Sequence, residues 1–108
     1  LALDNHGLVR GTDGPAVRAR AAVLDLQNRR GGRIEGGVDV REAYGSNAGT
    51  IEAGDASAIR ATYVDLDNSG TIANNSAAEA TIAISGQGDI RNTGLIEARG
   101  AAPAISAS

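Results

Sequence analysis

The amino-acid sequence predicts an all-β chain wound as a parallel β-helix, a solenoid of about five coils with roughly 22 residues per coil. Three observations carry this expectation. A frame of apolar-x-Asn-x-Gly-x-Ile/Val recurs along the 108 residues. The short segments of each unit alternate apolar with charged residues. The chain also has no Phe, Trp, Met or Cys with which to fill a wide core.

The repeat comes first, because a fixed period governs every later assignment. "LDNHGLV" (3–9), "GSNAGTI" (45–51), "LDNSGTI" (66–72) and "IRNTGLI" (90–96) share the frame. "LQNRRGGRI" (26–34) is a further copy with two extra residues before its glycine. The glycines Gly7, Gly32, Gly49, Gly70 and Gly94 are 25, 17, 21 and 24 residues apart. A second similarity follows each frame. "GTDGPAVRA" (11–19) aligns without gaps with "AGDASAIRA" (53–61), "GAAPAISA" (100–107) repeats it, and "EATIAIS" (79–85) is looser. Each unit therefore reads as an apolar-x-Asn strand, a turn, an Ile/Val strand, a polar loop and a further Ile/Val strand. The coils fall at about 1–23, 24–43, 44–63, 64–87 and 88–108, all in one β-helix segment of a longer repeat protein.

Each strand follows from its alternation. Leu24 and Leu26 oppose Asp25; Val64 and Leu66 oppose Asp65; Ile34 lies between Arg33 and Glu35. Val38 and Val40 oppose Asp39 and Arg41, and Val17, Ala19 and Ala21 oppose Arg18 and Arg20. Period 2 marks half-buried strands, and glycine is too frequent for helices. Three short strands cannot bury their own apolar face, but stacked units can. Stacking places Leu3, Leu26, Leu66 and Ile90 in one inward column. Val9, Ile34, Ile51, Ile72 and Ile96 form a second, and Val17, Val38, Ile59, Ile82 and Ile105 a third. Outside, Arg18, Asp39 and Arg60 form a ladder of alternating sign. The frame glycine is expected to take backbone angles closed to other residues. Stacked asparagines are expected to bond along the axis as amide ladders. The "RRGG" run (29–32) and the short loop after Ile34 predict a bulge in the second unit.

Composition excludes several classes. Net charge is −3 with both signs interspersed, so no basic stripe points to nucleic acid. All basic residues are arginine, which we read as codon usage of a GC-rich genome. No apolar run approaches the roughly 20 residues of a membrane helix, so no direct membrane insertion is expected of this segment. Without cysteine there is no disulfide framework or thiolate metal site, which is compatible with export.

The N-x-G-x-I and A-I units, repeated at about 22 residues in an Ala- and Gly-rich chain without cysteine, resemble the passenger domain of bacterial autotransporters and related exported adhesins. The resemblance covers essentially the whole chain. It implies a right-handed parallel β-helix, export and display at the bacterial cell surface or outside the cell. It implies no particular ligand.

Candidate sites are few. Asp65, Asp67 and Ser69 before Gly70 have the spacing of a calcium loop, yet the twelfth position from Asp65 is Ser76, not the bidentate Glu that such a loop requires. The repeat assigns Asp67 to the outer face instead, beside Asp4 and Gln27. His6 stands where other units carry variable turn residues, with no second His or Cys for zinc or a nucleophile pair. Asp25, Asp65 and Asp89 fall on neighbouring outer columns, about one coil apart except where the third unit interrupts, where a carboxylate pair for sugar chemistry would lie. More commonly such residues are solvating charges. "SGQGD" (85–89) lacks the lysine of a phosphate loop, and Asn74-Asn75-Ser76 contains a glycosylation sequon that marks a surface loop.

The expectation is thus a non-catalytic structural or adhesive scaffold without catalytic, cofactor or metal residues. Its partners are host or environmental surface ligands, or further copies of itself through the coil ends. The alternatives are a self-assembling extracellular filament or surface-layer module, and a carbohydrate-active β-helix enzyme.

Overall fold

A computed structural model describes residues 1–12 and 14–107. Asp13, in the aligned loop 11–19, and Ser108, the last residue of the fifth unit, lie outside them. The elements are all strands: β1 Ala2–Asn5, β2 Leu8–Arg10, β3 Val17–Asn28, β4 Arg33–Glu35, β5 Val38–Asn47, β6 Thr50–Glu52, β7 Ile59–Asn68, β8 Thr71–Asn74, β9 Ile82–Asn92, β10 Leu95–Ala98 and β11 Ile105–Ala107. They form two parallel sheets, ordered β1-β3-β5-β7-β9-β11 and β2-β4-β6-β8-β10. Each strand pairs with its counterpart one unit away, so the chain is a parallel β-solenoid of about five turns.

The sequence reading has three strands per coil; the structure has two sheets. The third strand of one unit runs straight into the first strand of the next, giving the long strands β3, β5, β7 and β9. No turn residue separates the two halves. The junction is instead a slip of register, between Ala19 and Val23 and between Ala61 and Tyr63. There the alternation breaks, and Ala21, expected inside, is exposed.

The inward columns are those the repeat predicts. Val9, Ile34, Ile51, Ile72 and Ile96 stand in register along one sheet. Val17, Val38, Ile59, Ile82 and Ile105 do so along the other. Leu3, Leu26, Leu66 and Ile90 share a column whose third-coil position is Gly45. Gly45 has φ +136°, and a Cβ there would run into the Leu26 carbonyl oxygen. Leu24, Leu26, Ile34, Ile51, Ile59, Leu66, Ile72 and Ile82 are fully buried. Each contributes roughly 1.5–3 kcal/mol through burial.

The frame asparagines complete the interior. Asn28, Asn47 and Asn68 are buried, and each Nδ2 donates to the Oδ1 of the next coil's asparagine. The steps are Asn5 to Asn28 at 2.9 Å, Asn28 to Asn47 at 2.7 Å, Asn47 to Asn68 at 2.9 Å and Asn68 to Asn92 at 2.8 Å. The same nitrogens reach corner carbonyls, such as Gly49 O at 3.3 Å and Thr71 O at 3.1 Å from Asn47. A buried amide costs little only when so satisfied.

The reason for the frame glycines differs from the expectation. None of Gly7, Gly32, Gly49, Gly70 and Gly94 has positive φ. Packing demands them instead. A Cβ on Gly70 would overlap the Gly49 carbonyl oxygen of the coil below, and one on Gly94 would overlap that of Gly70. Among the described residues, left-handed angles appear only where the second unit departs from the pattern, apart from Gly45. Gly31 (φ +84°) turns the lengthened corner, and Gly36 and Gly37 (φ +117° and +96°) make the shortened loop. The bulge expected of that unit is thus carried by glycines outside the repeat frame.

Candidate functional site

Function in a solenoid lies on its outer columns and in the loops between strands. On the longer sheet, Asp25, Tyr44, Asp65 and Asp89 occupy one outer column. The three aspartates are therefore stacked as the repeat predicts, with Tyr44 interrupting in the third coil. The next outer column in phase holds Asp4, Gln27, Ser46, Asp67 and Arg91.

Arg91 draws this surface together. Its Nη2 donates to Asp65 Oδ1 at 2.6 Å, its Nη1 lies 3.0 Å from Asp89 Oδ2, and its Nε donates to Asp67. The hydrogen bonds it donates, first to Asp67 and then to Asp65, hold the guanidinium above its ordinary pKa. Asp65 and Asp89 thus share an arginine and do not face each other across an open site. Asp65 and Asp67, the acids of the calcium-like spacing, are turned to the same guanidinium, and Ser69 Oγ lies 3.5 Å from the Asn47 carbonyl. Among the described residues, no three His, Asp or Glu side chains come together as a metal site. His6 is exposed, with Nε2 3.6 Å from Asp4 Oδ1. Asp4 itself accepts two bonds from Arg29, at 2.8 and 3.0 Å, which lower its pKa.

The only two aromatics of the chain lie outside. Tyr44 and Tyr63 stack with ring centroids 5.3 Å apart and planes 30° apart. The Tyr44 hydroxyl donates to Glu42 Oε1 at 2.6 Å, and that bond is the leading reason its pKa is pushed up to about 12.

A groove of about 460 Å³ follows the bend of the long strands, lined in part by Arg20, Asp39, Arg41, Arg60, Thr62 and Ser85. Sequence reasoning missed it, because the bend is a register slip and not a turn. The one visible signal is the loss of alternation at Ala21-Ala22 and Thr62-Tyr63. Arg18, Asp39 and Arg60 do stand in register here. Their ion pairs differ from the predicted ladder, however. Asp39, only 8% exposed, accepts from Arg20 Nε at 2.9 Å, while Arg60 reaches Glu79 at 2.5 Å. Arg41 lies 3.2 Å from Glu42. Each of the three groove arginines is therefore committed to a carboxylate.

The shorter sheet carries its own chain of charges. Glu35 accepts from Arg10 at 2.9 Å and from Arg33 at 3.0 Å, and these bonds lower its pKa. Arg33 lies 3.6 Å from Glu52, and Arg99 donates to Glu97 at 2.7 Å.

The sequon is not a surface feature. Asn74 is 1% exposed; its Nδ2 donates to Ala56 O at 2.9 Å and Glu79 O at 2.8 Å, and its Oδ1 accepts from Thr81 Oγ1 at 2.7 Å. The nitrogen that would carry a glycan is instead a clamp on the loop between β8 and β9. No helix among the described residues is long and apolar enough to cross a membrane. No protein-family model matches the chain, and no curated protein or solved structure is significantly similar to it.

Proposed function

We propose that the chain is a non-catalytic structural and adhesive scaffold, part of a bacterial surface-exposed or secreted protein of the autotransporter-passenger kind. The observation that supports this most is the asparagine ladder, which runs without a break through all five coils. A rod held by axial amide bonds and matched apolar columns resists local opening, since each inner coil is locked to two neighbours. Its outward side chains then meet host or environmental ligands. The acids best placed for sugar chemistry, Asp65 and Asp89, are bound to Arg91, which favours a structural role over a catalytic one.

The test combines stability with turnover. The folded chain is expected to resist protease up to its melting temperature, to keep that temperature in chelator, and to leave acidic and neutral polysaccharides uncut. Cleavage that disappears in Asp65→Ala or Asp89→Ala would replace this reading with the carbohydrate-active enzyme. On intact cells of the source organism, antibody against the rod is expected to bind without permeabilisation.

A further inference from the structure

We infer that the groove at the bend of the long strands holds an uncharged glycan strand lying along the coil axis. The assignment names a ligand class for the adhesive scaffold proposed above and rests on that reading. The middle of the groove does not depend on what adjoins the first or fifth coil. Asp39, Arg41, Arg60, Thr62 and Ser85 sit on β5, β7 and β9, each of which has a paired strand on both sides. These three strands carry the groove about 10 Å along the axis, at about 4.8 Å per step.

Two features of the bend point to a ligand. Both register slips fall on it: Arg20, Ala21 and Ala22 stand opposite Arg41 alone, and Ser85 and Gly86 opposite Thr62 alone. Such bulges re-aim side chains and gather beside binding sites. Here they place Arg20 and Ser85 on the groove wall. Asp39 is the second feature. It is 8% exposed, its Oδ2 accepts from Arg20, and among the described residues its Oδ1 has no hydrogen-bond partner. A nearly buried carboxylate oxygen is costly to leave unbonded, and a ligand hydroxyl donating from the groove satisfies it.

Charge selects the class of ligand. Arg20, Arg41 and Arg60 lie against Asp39, Glu42 and Glu79, so the groove offers no uncompensated charge to a polyanion or a polycation. It is still rich in hydrogen-bonding groups. Arg20 bonds through Nε and Arg60 through Nη2, which leaves further N–H groups of each guanidinium for a ligand. Beside them Thr62 and Ser85 are exposed, with their hydroxyl oxygens 3.3 Å apart. Val40, Ala61 and Ile84 add apolar surface between these groups. A sugar ring answers all three conditions: hydroxyls that both donate and accept, apolar C–H faces, and no charge. The volume of about 460 Å³ is that of an ordinary ligand cleft.

Isothermal titration of the chain with cellohexaose, laminarihexaose, maltohexaose and mannohexaose, with heparin as the charged control, tests the assignment. At least one neutral hexasaccharide is expected to bind with a Kd below about 1 mM, and its disaccharide at least about tenfold more weakly. Ser85→Tyr fills the groove from an exposed position. It is expected to keep the wild-type melting temperature and to weaken binding at least about tenfold. If Ser85→Tyr fails to fold, Thr62→Tyr blocks the same groove from the neighbouring coil. Three results overturn the proposal: no binding by any neutral probe, tighter binding of heparin than of all of them, or a folded groove-filling variant that binds as well as wild type. The scaffold reading fails differently. A hexasaccharide that binds and is cut keeps the groove but removes the non-catalytic role. Absent binding on a protease-resistant rod removes the groove alone.

Discussion

Asn47 Nδ2 donates to Asn68 Oδ1 at 2.9 Å while Asn47 Oδ1 accepts from Asn28 Nδ2 at 2.7 Å, so one fully buried amide joins three successive coils. Its removal strands a donor on one side and an acceptor on the other. Asn47→Ala is expected to cost roughly 2–4 kcal/mol, from the penalty for buried unsatisfied polar groups. Asn47→Asp adds a pH dependence. The aspartate can accept from Asn28 but has no proton for Asn68, so burial raises its folded pKa above the unfolded value of about 3.9. The penalty is then absent well below about pH 4 and grows as pH rises through the folded pKa. Chemical denaturation at acid and neutral pH checks both variants; an Asn47→Asp as stable as wild type at pH 7 would argue against the ladder.

Gly70 and Gly31 separate two reasons for glycine. Gly70 has an ordinary backbone but faces the Gly49 carbonyl; Gly31 has φ +84° and open space around it. Gly31→Ala is expected to cost about 1–2 kcal/mol, the strain of a left-handed alanine. Gly70→Ala forces two coils apart and is expected to cost more than this, with Gly70→Val worse again. Thermal unfolding of the three variants gives the order. If Gly70→Ala melted at the wild-type temperature, the close coil contact would not exist in solution.

Tyr44 offers an optical probe. With Tyr63→Phe as background, tyrosinate absorbance reports Tyr44 alone, and its midpoint is expected near 12 because the hydroxyl donates to Glu42. The folded pKa lies above the unfolded value, so the bond's contribution is complete below about pH 10 and lost as pH rises toward 12. A midpoint near 10 would show the hydroxyl facing water.

The acid side runs the other way. Asp4 is held low mainly by its bond from Arg29, and Glu35 by those from Arg10 and Arg33. Depressed carboxyl pKa values stabilise the fold above the unfolded pKa and cease to do so as pH falls through the folded pKa. Stability is therefore expected to decline below about pH 4. Arg91→Ala removes the cation shared by Asp65, Asp67 and Asp89 and leaves a patch of like charge. That variant is expected to be more sensitive to low salt than wild type, since added ions screen exposed repulsion. Melting temperature across ionic strength measures it; identical salt profiles would show that the arginine does not hold the cluster.

The frame around each asparagine and the alternation beside it were enough to determine an all-β solenoid, its period, the members of the Ile/Val columns and the amide ladder. These are consequences of one rule: when like units stack, like residues meet. The acidic column of Asp25, Asp65 and Asp89 was legible for the same reason. What only the tertiary structure decided comes from contacts between coils that a repeat frame does not encode. The frame glycines are required by a neighbouring carbonyl and not by their own backbone angles. The sequon Asn74 is buried because its loop folds back over it. Asp65 and Asp89 share Arg91, and Asp39 chooses Arg20 over the arginines in its own column. The sequence sets which residues stand in line along the axis. How long side chains reach across those lines, and where the strand bends to open a groove, depends on distances that exist only once the coils are stacked.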